Sequence, residues 1–198
     1  MTSPAFQAWR SSRLARIDRL VAAHPESPGS TTDLAVTQEW TQALVLMLAG
    51  EFQGYCRDLH NFVAQEMVKA VTVPGSRMRA MLFEGLTVGR ALDLRSADPK
   101  TIQTDFSRLG IELWAAIGTP ETVAGWRNAV RLLHRARSGV IHDDGRAREQ
   151  VQAEGWPFQL DSIRRWRDAL DEIAVAMEVA TSQDIADLFG KNRIETGE

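Results

Sequence analysis

The strongest constraint on the fold lies between about Thr31 and Val71. Apolar residues there fall at Trp40, Leu44, Met47, Leu48, Phe52, Tyr55, Leu59, Phe62, Val63, Met67 and Val71. Steps of three and four match a period of ~3.6 and no other. A helix of this length cannot cover its own apolar stripe, so the rest of the chain has to supply partner helices. It reads that way. Phe6, Trp9, Leu14, Ile17 and Leu20 mark a first helix from about Pro4 to Ala23, ended by the loop His24-Pro25-Glu26-Ser27-Pro28-Gly29-Ser30. Thr31, Thr32 or Asp33 caps the long helix, and Pro74-Gly75-Ser76 breaks the chain after it. Gly50 and Gly54 are points where the long helix could bend.

A shorter helix is expected over about Arg77–Leu92, weakened by Gly85 and Gly89. Asp98-Pro99 opens another, carrying Ile102, Phe106, Leu109, Leu113 and Ile117, with an interruption at Gly110. Thr119 caps the next, which carries Val123, Trp126, Val130, Leu133 and Val140 and stops at Asp143-Asp144-Gly145. Residues 145–158 read as a polar loop. A last long helix from about Asp161 holds Leu160, Ile163, Trp166, Leu170, Ile173 and Met177, followed by a short tail helix near Ser182–Phe189. The expected fold is all-α, an antiparallel helical bundle. Its parts are an N-terminal helix and loop (1–30), the bundle (31–181) and a tail (182–198).

Charge narrows the function. The 198 residues carry a net charge of −3, so no global positive field attracts nucleic acid and any such site must be local. One is visible: Arg127, Arg131, Arg135, Arg137, Arg146 and Arg148 crowd one segment, against Asp143 and Asp144. The N-terminal Arg10, Arg13, Arg16 and Arg19 loosely resemble an organelle presequence, but helical spacing favours an ordinary amphipathic helix. The longest apolar run, Ala43–Ala49, is far too short for a bilayer, so no membrane contact is expected. The single cysteine, Cys56, excludes an internal disulfide and a multi-cysteine zinc site, and a reducing cytoplasmic setting is the default. His24, His60, His134 and His142 lack metal-ligand spacing, so neither a metal nor another cofactor is expected.

One arginine occupies an apolar slot. Val123, Trp126, Val130, Leu133 and Val140 define an inward stripe whose missing position is Arg137. A buried guanidinium costs several kcal/mol unless paired. Arg137 therefore has a carboxylate partner, with Glu51 and Asp58 of the long helix as candidates to orient it, or it lines a cleft, or it faces a second subunit. His142 lies five residues on, ~140° round an ideal helix. Loosening at Gly139 could bring the imidazole toward Arg137, or the two could meet across a dimer axis.

Arg137-Ser138-Gly139-Val140-Ile141-His142 is an Arg-x4-His motif that resembles the signature of the HEPN superfamily (higher eukaryotes and prokaryotes nucleotide-binding). Glu51, Phe52 and Tyr55, followed by Arg57-Asp58-Leu59, are similar to that family's second-helix pattern. The stretch Asp98–Ile111 followed by Trp114 resembles its prokaryotic RiboL-PSP-HEPN branch, so the likeness covers roughly residues 30–180 in order. The resemblance implies a four-helix core that homodimerises and a metal-independent endoribonuclease of toxin–antitoxin or defence systems, with RNA as substrate and an antitoxin or defence protein as partner. It assigns phosphate binding to Arg137 and general acid–base work to His142. Ser138 stands where the family most often has Asn, a shorter group that can still hydrogen-bond. Arg131, Arg135, Arg146 and Arg148 would hold flanking phosphates. The competing expectation is a catalytically weak module of the same family that binds RNA, nucleotide or a partner protein.

Overall fold

The computed structural model describes residues 2–24, 33–71 and 75–195, with side chains as far as residue 188. Every regular element among them is helical, and the helices pack as an all-α bundle. Four long members alternate in direction. The first is made of α1 (Pro4–Ala8), a π turn (Trp9–Arg13) and α2 (Leu14–Ala22). The others are α3 (Leu34–Ala70), α8 (Pro120–Ile141) and α10 (Leu160–Glu195). Between α3 and α8 come α4 (Ser76–Thr87), α5 (Ala91–Leu94), α6 (Pro99–Ser107) and α7 (Leu113–Ala116), while α9 (Gly145–Ala153) links α8 to α10. None of the described helices is long and apolar enough to cross a membrane.

The first helix explains its own odd spacing. Its apolar residues step by three except between Trp9 and Leu14, a step of five. There the Leu14 N–H bonds the Trp9 carbonyl, the i→i+5 bond of a π turn. The extra residue keeps Trp9, Leu14 and Ile17 all facing inward and buried. Trp9 packs on Tyr55 and Phe52 with ring centroids 5.3 and 6.0 Å away. Ser3 donates from its N–H and its hydroxyl to Glu178, each at 2.6 Å. The segment expected as a separate N-terminal part is thus a full member of the bundle.

Local signals hold where a side chain satisfies a helix end. Asp33 accepts from the Ala35 N–H at 3.1 Å, Asp98 from Lys100 and Thr101, and Thr119 from Thr122. The expected loop 25–30 and the candidate caps Thr31 and Thr32 lie outside the described residues, as does Pro74.

Three expectations change. The helix foreseen over 77–92 splits, because Gly89 adopts φ 71° and the new α5 docks its Ala91 and Leu92 N–H groups on the buried Asp105 carboxylate, at 2.8 and 2.7 Å. The expected polar loop after Gly145 begins with α9, capped by Asp144 and anchored by buried Val151. The short tail helix is a continuation of α10: Thr181 returns its hydroxyl to the Met177 carbonyl at 2.8 Å, so the polar stretch satisfies itself without leaving the helix.

Candidate functional site

Helix α8 carries Arg131, Arg135, Arg137 and Ser138 and is capped by His142, and its register decides where they point. Its buried positions are Val123, Ala129, Val130, Leu132, Leu133, Ala136 and Gly139. The buried face departs from the expected stripe after Leu133 and lies one position earlier. Ala136 takes the core slot that Arg137 was expected to fill, and Arg137 sits half-buried at its edge.

There Arg137 hydrogen-bonds the Ser96 hydroxyl and lines a narrow cleft with Phe52, Gln53, Ala97, Leu133 and His134. Glu51 and Asp58 do not reach it. They face the first helix, where Glu51 accepts from Arg13 and Arg16 at 2.7 Å each and Asp58 accepts from Arg13 at 2.6 Å. The orienting role expected for these two carboxylates is corrected on this geometry: α3 turns them away from α8. No carboxylate pairs with Arg137 among the described residues.

The helix does not loosen at Gly139. It runs through Ile141, and His142 is its C-cap, donating its backbone N–H to the Ser138 carbonyl at 3.0 Å. Gly139 serves a different end. An added Cβ would sit 3.0 Å from the Arg148 Cγ and 3.3 Å from both the Ala147 Cβ and the Asp144 carbonyl oxygen, so the glycine lets α9 fold back against α8. Asp143, at φ 49°, makes the turn between them. With α8 unbroken, Arg137 and His142 leave the helix ~140° apart. One chain does not bring them together. His142 is exposed and Ser138 half-buried beside Arg137.

The other arginines divide. Arg131 bonds Glu154, which also lies 3.5 Å from Arg135, and Arg148 bonds Asp143 at 3.0 Å. The hydrogen bond from Arg131 holds the Glu154 carboxyl below its ordinary range. Arg146 is exposed.

Sequence reasoning gave no site role to four contributors, Ser96, His134, Lys100 and Arg127, the last noted only as part of the basic cluster. Ser96 is a loop residue with no motif around it. His134 lies one helical turn before Arg137, so its spacing did carry a signal. Its Nδ1 is buried with no hydrogen-bond partner among the described residues. Burial, with Arg137 and Arg135 nearby, pulls its pKa down, partly countered by Asp98. Lys100 and Arg127 flank a long groove between α6 and α8. Among the described residues no cluster of three or more His, Cys, Asp or Glu side chains could hold a metal ion. Cys56 is sealed in the core, where burial pushes its thiol up.

No protein-family model, curated protein or solved structure matches the chain.

Proposed function

We propose that this chain is a metal-independent endoribonuclease of the HEPN type, a cytoplasmic toxin or defence effector that works as a homodimer. One observation carries the reading: Arg137 is half-buried in a cleft, bonded to a neutral hydroxyl and, among the described residues, to no carboxylate. A guanidinium kept partly out of water without an anion is suited to receive one, and a phosphodiester fits its planar fork. The exposed His142 at the end of the same helix is available to a second copy, which supplies the convergence that one copy lacks.

In such a dimer a neutral imidazole takes the proton from a ribose 2′-hydroxyl. The freed oxygen attacks phosphorus, and the bond to the 5′ oxygen breaks. A protonated imidazole, from the other copy, gives the leaving oxygen its proton. Arg137 meets the charge that builds on the phosphoryl oxygens. The products are a 2′,3′-cyclic phosphate and a 5′-hydroxyl, and a strand lacking the 2′-hydroxyl is not cut.

Purified protein incubated with total RNA in EDTA tests this. Cleavage is expected from the wild type and a loss of about 100-fold or more in Arg137→Ala and His142→Ala, with dimers seen by light scattering. An inert wild type defeats the proposal. The divergence of Arg137 and His142 within one chain favours a second reading should the protein prove monomeric: a module that binds RNA, nucleotide or a partner such as an antitoxin without cutting.

A further inference from the structure

The groove between α6 and α8 encloses about 1040 Å³. Its floor is rigid. Trp114 donates its indole N–H to the Pro99 carbonyl at 2.8 Å, and Gln103 accepts from the Trp114 backbone at 3.2 Å. Lys100 and Arg127 stand exposed along it, and neither forms an ion pair among the described residues. Two acids lie nearby, and both are engaged. Glu112 accepts from Gln103 at 3.0 Å, and Asp98 caps α6 through the Lys100 and Thr101 N–H groups.

The groove does not stop there. A second cavity, of about 600 Å³, shares Pro99, Lys100, Ala124 and Arg127 with it and continues to Arg131 and His134. His134 also borders the cleft that holds Arg137. From Arg127 to Arg137 this face of α8 rises ~15 Å. The two cavities thus form one course past Lys100, Arg127 and Arg131 as far as His134, beyond which lies the Arg137 cleft of only about 10 Å³.

We propose that this groove is a track for the sugar–phosphate backbone of a single-stranded polynucleotide, with Lys100 and Arg127 as phosphate contacts. The proposal rests on the nuclease reading for the track's end point, but its binding step does not require cleavage. Separated point charges along an open groove match a regularly repeating anion, whereas an acidic peptide presents no such fixed spacing.

Fluorescence anisotropy with a labelled oligodeoxythymidylate measures the track alone, since that strand lacks the 2′-hydroxyl. The Lys100→Glu/Arg127→Glu protein should bind at least ~10-fold more weakly, with a salt dependence of log K shallower by about 1.4, two single-strand phosphate contacts. Arg77→Glu/Arg79→Glu on α4 makes the same charge change elsewhere and should bind within about twofold of wild type. Far-ultraviolet circular dichroism confirms that both variants keep their helices. Unchanged binding in the groove variant, equal losses in both variants, or no binding by wild type overturns the track. Groove-dependent binding by a wild type that cuts no RNA defeats the nuclease reading and supports the track.

Discussion

Arg13 and Arg137 are both half-buried arginines packed near α3, and they are treated in opposite ways. Arg13 is clamped by Glu51 and Asp58, with Arg16 sharing Glu51. Burial alone would lower its pKa, but the hydrogen bonds to those carboxylates outweigh it and raise the value. Arg137 has Ser96 and, among the described residues, no carboxylate. The first arrangement is a closed network that fixes the first helix onto α3. The second leaves a cation whose charge is unanswered inside the protein. The same residue type is structural where the fold supplies an anion and a ligand-binding candidate where it does not.

Removing one acid tests the contrast most severely. Glu51→Ala leaves Arg16 with no acid and Arg13 with Asp58 alone, and should cost about 3 kcal/mol in urea unfolding. Arg137→Ala should cost about 1 kcal/mol or less, the worth of one neutral-partner hydrogen bond. Comparable losses in the two variants would erase the distinction.

Acid should weaken the sealed region more than the open one. His60 is fully buried, with Nε2 donating to the Asp105 carbonyl at 3.0 Å and its ring edge-on to Phe106. Burial, chiefly, lowers its pKa to about 4. The unfolded chain, with an ordinary value of ~6.5, binds the proton first, so stability is full above that pH and falls as pH drops toward 4. The loss is about 3 kcal/mol at ~1.4 kcal/mol per unit. His60→Gln should flatten urea midpoints measured between pH 7 and 4, roughly the window of that shift. His134→Gln should flatten them less, because His134 is only half-buried. The opposite ranking would place the acid sensitivity at the α8 cleft.

Two glycines on one helix sharpen the picture at smaller scale. A Cβ on Gly54 would stand 2.5 Å from the Arg13 Nη1, which its two carboxylates hold in place, whereas one on Gly50 meets nothing within 4 Å. Gly54→Ala should destabilise by about 1 kcal/mol after its gain in helix propensity. Gly50→Ala should stabilise by about 0.5–1 kcal/mol. Thermal melts showing the same sign for both would mean that Arg13 is not pinned.

Much of the fold was legible because helix periodicity and end-capping are local. Thr119 caps the helix it was expected to cap, Asp33 is the one of three candidates that caps α3, and Asp98 caps the helix it was expected to open. What escaped was set by distant partners. The break at Gly89 depends on Asp105 receiving two N–H groups of α5, and α9 depends on Gly139 admitting a neighbour. The candidate site was legible as a list of residues and not as an arrangement. Periodicity placed Arg137 in the core slot that Ala136 takes, and it could not choose a partner, because Glu51 and Asp58 were equally free to face the first helix. Ser96 and Lys100 lie outside α8, and only the packing of α6 against α8 brings Lys100 to the groove.

The mildest variant addresses cations that do have an acid. Arg131 and Arg135 share Glu154, a carboxylate open to solvent. Ion pairs of this kind contribute little to stability, so Glu154→Ala should leave the urea midpoint unchanged. Its effect belongs to binding. A carboxylate already seated on the two guanidinium groups competes with any phosphate that approaches them, and removing it unmasks two positive charges. Oligodeoxythymidylate should then bind a few-fold more tightly, with the gain shrinking as salt rises and screens the freed charges. Unaltered affinity would mean that the strand passes along Lys100 and Arg127 without reaching Arg131 or Arg135, and would confine the track to the far side of His134.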